Sequence, residues 1–318
     1  MNSIALHPLI RRNVRLMLYV SLRATLRVFS KLLPRHIEDW ALQRFLTPTR
    51  HTHRQAEMQL LERGEYFEVQ SGGYRVAAWS FGAVDAPVVV CSHGWSGRGA
   101  QLRAFVAPLL QEGFRVVLFD SPAHGFSSGK TTSLVEFAAA LACVCLYLQE
   151  RGSRIQGVVA HSLGGAATAF ALKRLSLKVE RVVLIAPPAS LIAFSQRFAR
   201  FLGLSEGIRK GVQRRIETRF GVPWAALELP QSVAGITTPA LIIHDEDDQD
   251  VHIADGRAVA ASWPDARFLI THDLGHRAIL HNAGVIRDSI AFLSGSTEFA
   301  KPRTQDEWAR FPGPAPLF

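Results

Sequence analysis

The sequence predicts an α/β protein: a mostly parallel, doubly wound sheet of about eight strands with a short helical cap and a basic helical N-terminal extension. Three observations lead there. Short Val/Ile/Leu-rich runs recur with helical stretches between them, and a continuous apolar run suits a strand buried on both faces. Several of these runs end in turns bearing Gly, Ser, His or Asp, which a parallel sheet would gather at one edge. The 318 residues are 48% hydrophobic and 20% charged, enough for one large domain with extensions or two small ones, and not the make-up of a disordered chain.

Residues 9–35 read as a basic helix, with Leu22, Leu26, Phe29 and Leu33 on one side and Arg23, Arg27 and Lys31 turned away. The first fifty residues hold nine basic and two acidic side chains, so +7 of the net +9 sits there and the rest of the chain is nearly balanced. The basic balance therefore says little about the remaining body, and no zinc-finger spacing or aromatic RNA-binding motif marks a nucleic-acid partner. The longest uncharged run in this helix, Leu16 to Leu22, is far below the roughly 20 residues a membrane span needs. Arg23 and Arg27 also interrupt the apolar core of a secretory signal. Two placements stay open for residues 1–50: peripheral contact with a membrane surface, or packing on the body through Leu22, Leu26, Phe29 and Leu33.

The β-rich pattern begins at about residue 64. Tyr66–Gln70 and Tyr74–Trp79 form a hairpin over Ser71-Gly72-Gly73. Apolar strands follow at Pro87–Ser92, Arg115–Asp120, Ile155–Ala160, Arg181–Ile185, Ala240–His244 and Arg267–Thr271. Helical stretches fall at about 101–112, 133–150, 163–176, 253–262 and 279–293. Residues 187–236 break the alternation with helical pieces near 190–203 and 206–220, the length of a lid-like excursion. The expected organisation is an extension over 1–63, a main domain over 64–294 with a cap at 187–236, and an irregular proline-containing tail over 295–318. Cys91, Cys143 and Cys145 are too few and too apolar in setting for a disulfide framework. They suit free thiols in a reducing compartment such as the cytoplasm, although the Arg-rich, acid-poor start also has the composition of an organellar transit peptide.

The chemistry-bearing residues lie in the turns. Gly157-Val158-Val159-Ala160-His161-Ser162-Leu163-Gly164-Gly165 runs from strand to turn to helix, and a serine there presents its hydroxyl above the sheet between small neighbours. The helix that follows turns its N–H groups and positive dipole end toward that position. Val88 to Trp95 ends in His93-Gly94-Trp95, where the Trp95 N–H can pair with that of Leu163 as two donors for a developing oxyanion. His93 reads as a turn brace rather than a base, as an imidazole in such a loop does, and Asp120 and His124 read as loop fixtures, because no third and fourth ligand stand at metal spacing. His244-Asp245-Glu246-Asp247-Asp248-Gln249-Asp250-Val251 is an acidic turn after a strand, and Gly275-His276 follows the last strand.

In order and spacing these motifs resemble the α/β-hydrolase fold family over roughly residues 64–294, in its esterase- and lipase-like serine hydrolases. The departures are Ala160 in the elbow and Asp245 where relatives carry glycine. The resemblance implies Ser162 as nucleophile, His276 as general base and an orienting aspartate, with the Trp95 and Leu163 N–H groups as oxyanion hole. It sets the acid four residues after the strand-end His244 and three before the apolar anchor Val251, which selects Asp248. The other acids of the turn are expected to be mainly solvated, since carboxylates repel when buried together. The implied activity is cleavage of an ester or related acyl bond in a small to medium apolar substrate, with no cofactor and no metal. Thioesterase, peptidase, perhydrolase and carbon–carbon hydrolase chemistries share the scaffold, as do non-catalytic binding members.

Overall fold

The computed structural model describes residues 8–296, so the tail expected over 295–318 lies outside the described residues beyond Ser296, as do the side chains of Arg11, Arg12 and Arg15. In chain order the first elements are α1 (Pro8–Leu32), α2 (Pro34–Leu46), α3 (Gln55–Leu61), β1 (Glu65–Ser71), β2 (Tyr74–Phe81) and β3 (Val88–Ser92). Then come α4 (Val106–Gln111), β4 (Arg115–Phe119), α5 (Leu134–Gln149), β5 (Ile155–His161), α6 (Leu163–Arg174) and β6 (Arg181–Ile185). The chain continues through α7 (Leu191–Leu202), α8 (Glu206–Phe220), α9 (Leu229–Val233), β7 (Ala240–Asp245), α10 (Ile253–Ser262), β8 (Ala266–Thr271), α11 (Gly275–Ala278) and α12 (Ala283–Ser294). These elements divide into two compact units, one holding residues 47–190 with 225–296 and the other the first two helices with Leu191–Trp224.

The larger unit is built on an eight-stranded sheet in the order β1-β2-β4-β3-β5-β6-β7-β8. β2 pairs antiparallel with β1 and with β4, and every other pairing is parallel. The strands form where the apolar runs stand: Val88 to Cys91 and Val158 to Ala160 are wholly buried, because helices cover both faces. Ser133 and Asn282 cap α5 and α12 by accepting the Glu136 and Val285 N–H groups. In this unit Arg98 grips Glu57 through two charge-assisted hydrogen bonds of 2.6 and 2.8 Å, which ties α3 to the segment after β3. The thiols are free, and burial pushes those of Cys91 and Cys145 up to about 12.

The smaller unit is all helical. The single basic helix expected over 9–35 ends at Leu32, since Pro34 cannot donate to the ladder and starts α2 instead. Phe45 of α2 packs edge-on against Phe198 of α7 and near Trp224, with ring centroids 5.2 and 6.1 Å away. Arg215 of α8 pairs with Glu38 and Asp39 of α2. The buried Arg209 is neutralised by Glu206 and also donates to Ser195 and Gln213. Of the four apolar residues grouped on α1 and its end, only Leu26 is buried, whereas Leu22, Phe29 and Leu33 stay exposed.

Candidate active site

Ser162 occupies the one-residue turn between β5 and α6, at φ 51° and ψ −122°. That backbone region is costly for a residue with a Cβ, about 1–3 kcal/mol. The turn is held by the Ser162 N–H donating to Ile185 O at 2.9 Å and by the Gly165 N–H donating to Ser162 O at 2.9 Å. Two glycines allow the β3 loop to press against it. A Cβ on Gly94 would stand 2.9 Å from the Ser162 Cβ, and one on Gly164 would stand 2.6 Å from the carbonyl oxygens of Ser92 and His93. The close approach brings the chain around Trp95 beside the start of α6. Among the described residues neither the Trp95 N–H nor the Leu163 N–H has a hydrogen-bond partner, and the Ser162 hydroxyl has none either.

The loops behind this turn are braced by neutral imidazoles. His93 accepts from the Ser121 N–H at 2.9 Å and donates to Gly94 O at 2.7 Å; His124 accepts from the Ser96 N–H at 2.9 Å and donates to Pro122 O at 2.9 Å. Burial holds His93 well below its usual range and brings His124 down to about 4. Asp120 accepts from the Gly99 and Phe126 N–H groups, both at 2.8 Å. All three side chains are committed to the loop backbone.

The turn after β7 holds two buried carboxylates with separate partners. Asp248 Oδ2 lies 2.7 Å from His276 Nδ1, and Asp248 Oδ1 accepts from the Asp250 and Val251 N–H groups, both at 2.8 Å. Burial acts to raise the Asp248 pKa, but the hydrogen bonds from His244, His276 and the Val251 N–H outweigh it and hold the carboxyl well below the usual range. An ionised acceptor fixes the His276 tautomer: Nδ1 carries the proton, and Nε2 keeps its lone pair. His244 supports the turn from inside, donating to Val251 O at 2.9 Å with Asp248 Oδ2 3.5 Å from the same nitrogen.

Asp245 departs from the expectation that the remaining acids are solvated. Glu246, Asp247 and Asp250 are exposed, but Asp245 is fully buried. Its Oδ1 accepts from the Gly275 N–H at 2.8 Å and the Asp247 N–H at 3.1 Å. Its Oδ2 accepts from Thr271 Oγ1 at 2.7 Å and the Leu274 N–H at 3.3 Å. Four donors compensate for the lost hydration, so two carboxylates coexist in one turn. Asp247 adds a bond from the Asp273 N–H at 2.9 Å. The backbone just before His276 is thus tied to the end of β7 at three successive residues.

His161, beside Ser162, makes a second tie. Its Nε2–H donates to the His276 carbonyl at 2.8 Å, and the two rings lie 4.6 Å apart. Burial, and next the nearby His276, bring its pKa down to about 3. His276 is therefore bound through its ring to Asp248 and through its carbonyl to the elbow. No hydrogen bond joins Ser162 Oγ to His276 among the described residues. The sequence marks Asp245 only as a departure from the resemblance and gives His161 no role, since their partners lie 26–30 and 115 positions away. Among the described residues no group of three or more His, Cys, Asp or Glu side chains is placed to hold a metal ion.

Comparison with known proteins agrees with this architecture. A family model described as alpha/beta hydrolase fold matches residues 87–215. A human serine hydrolase-like protein is 28% identical over 128 residues, covering 37% of this chain and 58% of its own length. The chain thus spans little more than half of that relative. An esterase of Pyrococcus furiosus superposes with a TM-score of 0.61 at 20% identity, over 78% of this chain and 99% of that one. Est1E of Butyrivibrio proteoclasticus, solved with ferulic acid bound, gives 0.59 at 18% identity over 74% and 100%. The sheet order, the strained serine between β5 and α6 and the family model over residues 87–215 agree that the chain has the α/β-hydrolase fold.

Proposed function

We propose that this protein is a serine hydrolase that cleaves an ester or related acyl bond through an acyl-enzyme on Ser162. The observation that carries the reading is the 2.7 Å contact between His276 Nδ1 and the buried Asp248 carboxylate, which leaves the His276 Nε2 lone pair as a base. A serine hydroxyl becomes nucleophilic only when a neighbour takes its proton. His276 Nε2 accepts that proton as Ser162 Oγ bonds to the substrate carbonyl carbon. The resulting oxyanion is stabilised by the Trp95 and Leu163 N–H groups, which have no other partner among the described residues. Asp248 stabilises the imidazolium without taking its proton, and His276 returns the proton to the leaving group. Water activated by the same nitrogen then releases the acid and frees Ser162.

An esterase is the first reading, since the P. furiosus neighbour carries that name. Thioesters, peptides and peracids share the acyl chemistry and are separated by a substrate panel. The test is labelling of the full chain by a fluorophosphonate, followed by turnover of p-nitrophenyl esters of increasing chain length. Modification should fall on Ser162, and Ser162→Ala should abolish both labelling and turnover with an unchanged unfolding profile. Modification at another serine, or undiminished turnover in the variant, overturns the assignment.

A further inference from the structure

One side of α1 exposes apolar surface that no described residue of its own unit covers. At 100° per residue Tyr19, Arg23, Leu26 and Ser30 share one side of the helix, and among the described residues these are its buried and half-buried ones. Tyr19 donates to Phe201 O at 2.7 Å and lies 5.3 Å from the Phe201 ring, which fixes that side against α7. Leu18, Leu22, Phe29 and Leu32 share another side, and all four are exposed, Leu18 and Leu32 by about two thirds (65% and 67%). Around the cylinder Val28 continues this apolar side, the exposed Lys31 follows at its far edge, and the exposed Arg27 stands beyond Lys31, opposite Leu18. Eight of the fifteen exposed large apolar side chains among the described residues fall within residues 17–33. Such a concentration exceeds the scattered exposure normal on a protein surface.

We propose that this face of α1 docks on an anionic lipid surface, with the helix lying in the plane of the interface. Among the described residues no helix is long and apolar enough to cross a membrane, and Arg23, Arg27 and Lys31 make α1 unsuited to the bilayer core. An amphipathic helix with cations along its apolar edge is suited to the headgroup boundary, where Leu and Phe enter the acyl region and the cations meet anionic headgroups. Charge distinguishes this occupant from a second copy of the chain. Pairing two α1 faces would bring Lys31 of each copy toward a shared rim, in a segment that already carries +7 over fifty residues. The proposal stands apart from the Ser162 reading, because docking is measured without turnover.

Sedimentation of the full chain with phosphatidylcholine vesicles, with and without phosphatidylglycerol, tests it. The chain should pellet with the anionic vesicles, much less with the neutral ones, and less again as salt is raised. Each interfacial cation contributes about five-fold in binding, so Arg27→Ala with Lys31→Ala should weaken it by roughly 25-fold. Leu22→Glu with Phe29→Glu should abolish it while leaving the unfolding profile unchanged, since both side chains are exposed. Failure to pellet with anionic vesicles, or pelleting indifferent to both pairs of substitutions, overturns the proposal. So does light scattering that shows a dimer converted to monomer by Leu22→Glu with Phe29→Glu, which would assign the face to a second copy.

Discussion

Asp245→Asn separates the two carboxylates of the acid turn. Asparagine is nearly isosteric, so no cavity forms, and the change comes down to one oxygen becoming an NH2 group without a lone pair. With the NH2 at the Oδ2 position, the Thr271 hydroxyl can rotate to accept from it, and only the 3.3 Å bond from the Leu274 N–H is lost. The opposite orientation sets the NH2 against the Gly275 and Asp247 N–H groups and costs two donors. In the better orientation the loss is one long hydrogen bond plus the charge assistance on the others. Hydrogen bonds to charged groups contribute about 1.5–3 kcal/mol against about 1 for neutral ones, so the sum is roughly 2–4 kcal/mol. Folding stability, measured by urea unfolding, should fall by that amount and leave the protein folded. Turnover should fall by roughly 10- to 100-fold with little change in KM, because a displacement of about 1 Å at a reacting group can cost about 100-fold. The shape of the pH–rate profile should persist, since Asp248 still holds His276. A variant that loses stability at unchanged kcat would refute the argument that Asp245 positions the His276 loop. Unchanged stability would refute the worth assigned to its four hydrogen bonds.

Asp248→Asn should lower kcat by roughly two to four orders of magnitude, by removing the charge opposite the His276 imidazolium, while Asp250→Asn, whose side chain is exposed, should stay within about two-fold of the parent. His161→Phe should reduce kcat by about ten-fold by releasing the His276 carbonyl, and His161→Gln, which keeps a donor, should recover most of the loss. Neither change should move the acid limb of the pH profile, because His161 stays neutral down to about pH 3. Acid stability follows from His93, His124 and His161, whose folded pKa values are depressed below the unfolded value of 6.5. Their contribution is therefore fully present above pH 6.5 and is lost as pH falls toward the folded values. By pH 5 His124 and His161 each lose about 2 kcal/mol, a sum of about 4 that is a large share of the stability of many domains, and His93 acts in the same direction. Urea midpoints at pH 7 and pH 5 check this, and equal midpoints would contradict it.

What could be read from the sequence was what local pattern encodes. The parallel strands announce themselves because both faces are buried, so Val88 to Cys91 or Val182 to Ile185 needs no polar alternation. In the acid turn, the register implied by the resemblance, from His244 through Asp248 to Val251, falls on the carboxylate that lies 2.7 Å from His276 Nδ1, whereas spacing alone does not choose among the four aspartates. The helix break at Pro34 went unread, and so did the face that α1 packs. Periodicity identifies an apolar side but not the side a neighbour takes, and α1 buries Leu26 with the polar Tyr19, Arg23 and Ser30 at its margins.

Asp245 shows why the rest of the site could not be read. Repulsion between carboxylates argues for solvating every acid of the turn but one, and that argument holds only while donors are scarce. Here β8 and the loop after it supply Thr271 Oγ1 and the N–H groups of Leu274 and Gly275, all from chain more than twenty-five positions away. Once those donors converge, a second buried carboxylate becomes the means of fixing the loop backbone, and the first is left to the imidazole ring. The glycine that the resemblance implies at this position has no side chain to accept such bonds. In this chain the loop before His276 is therefore held by side-chain bonds that a backbone turn alone does not provide, and the Asp245 substitution measures how far the placement of His276 depends on them.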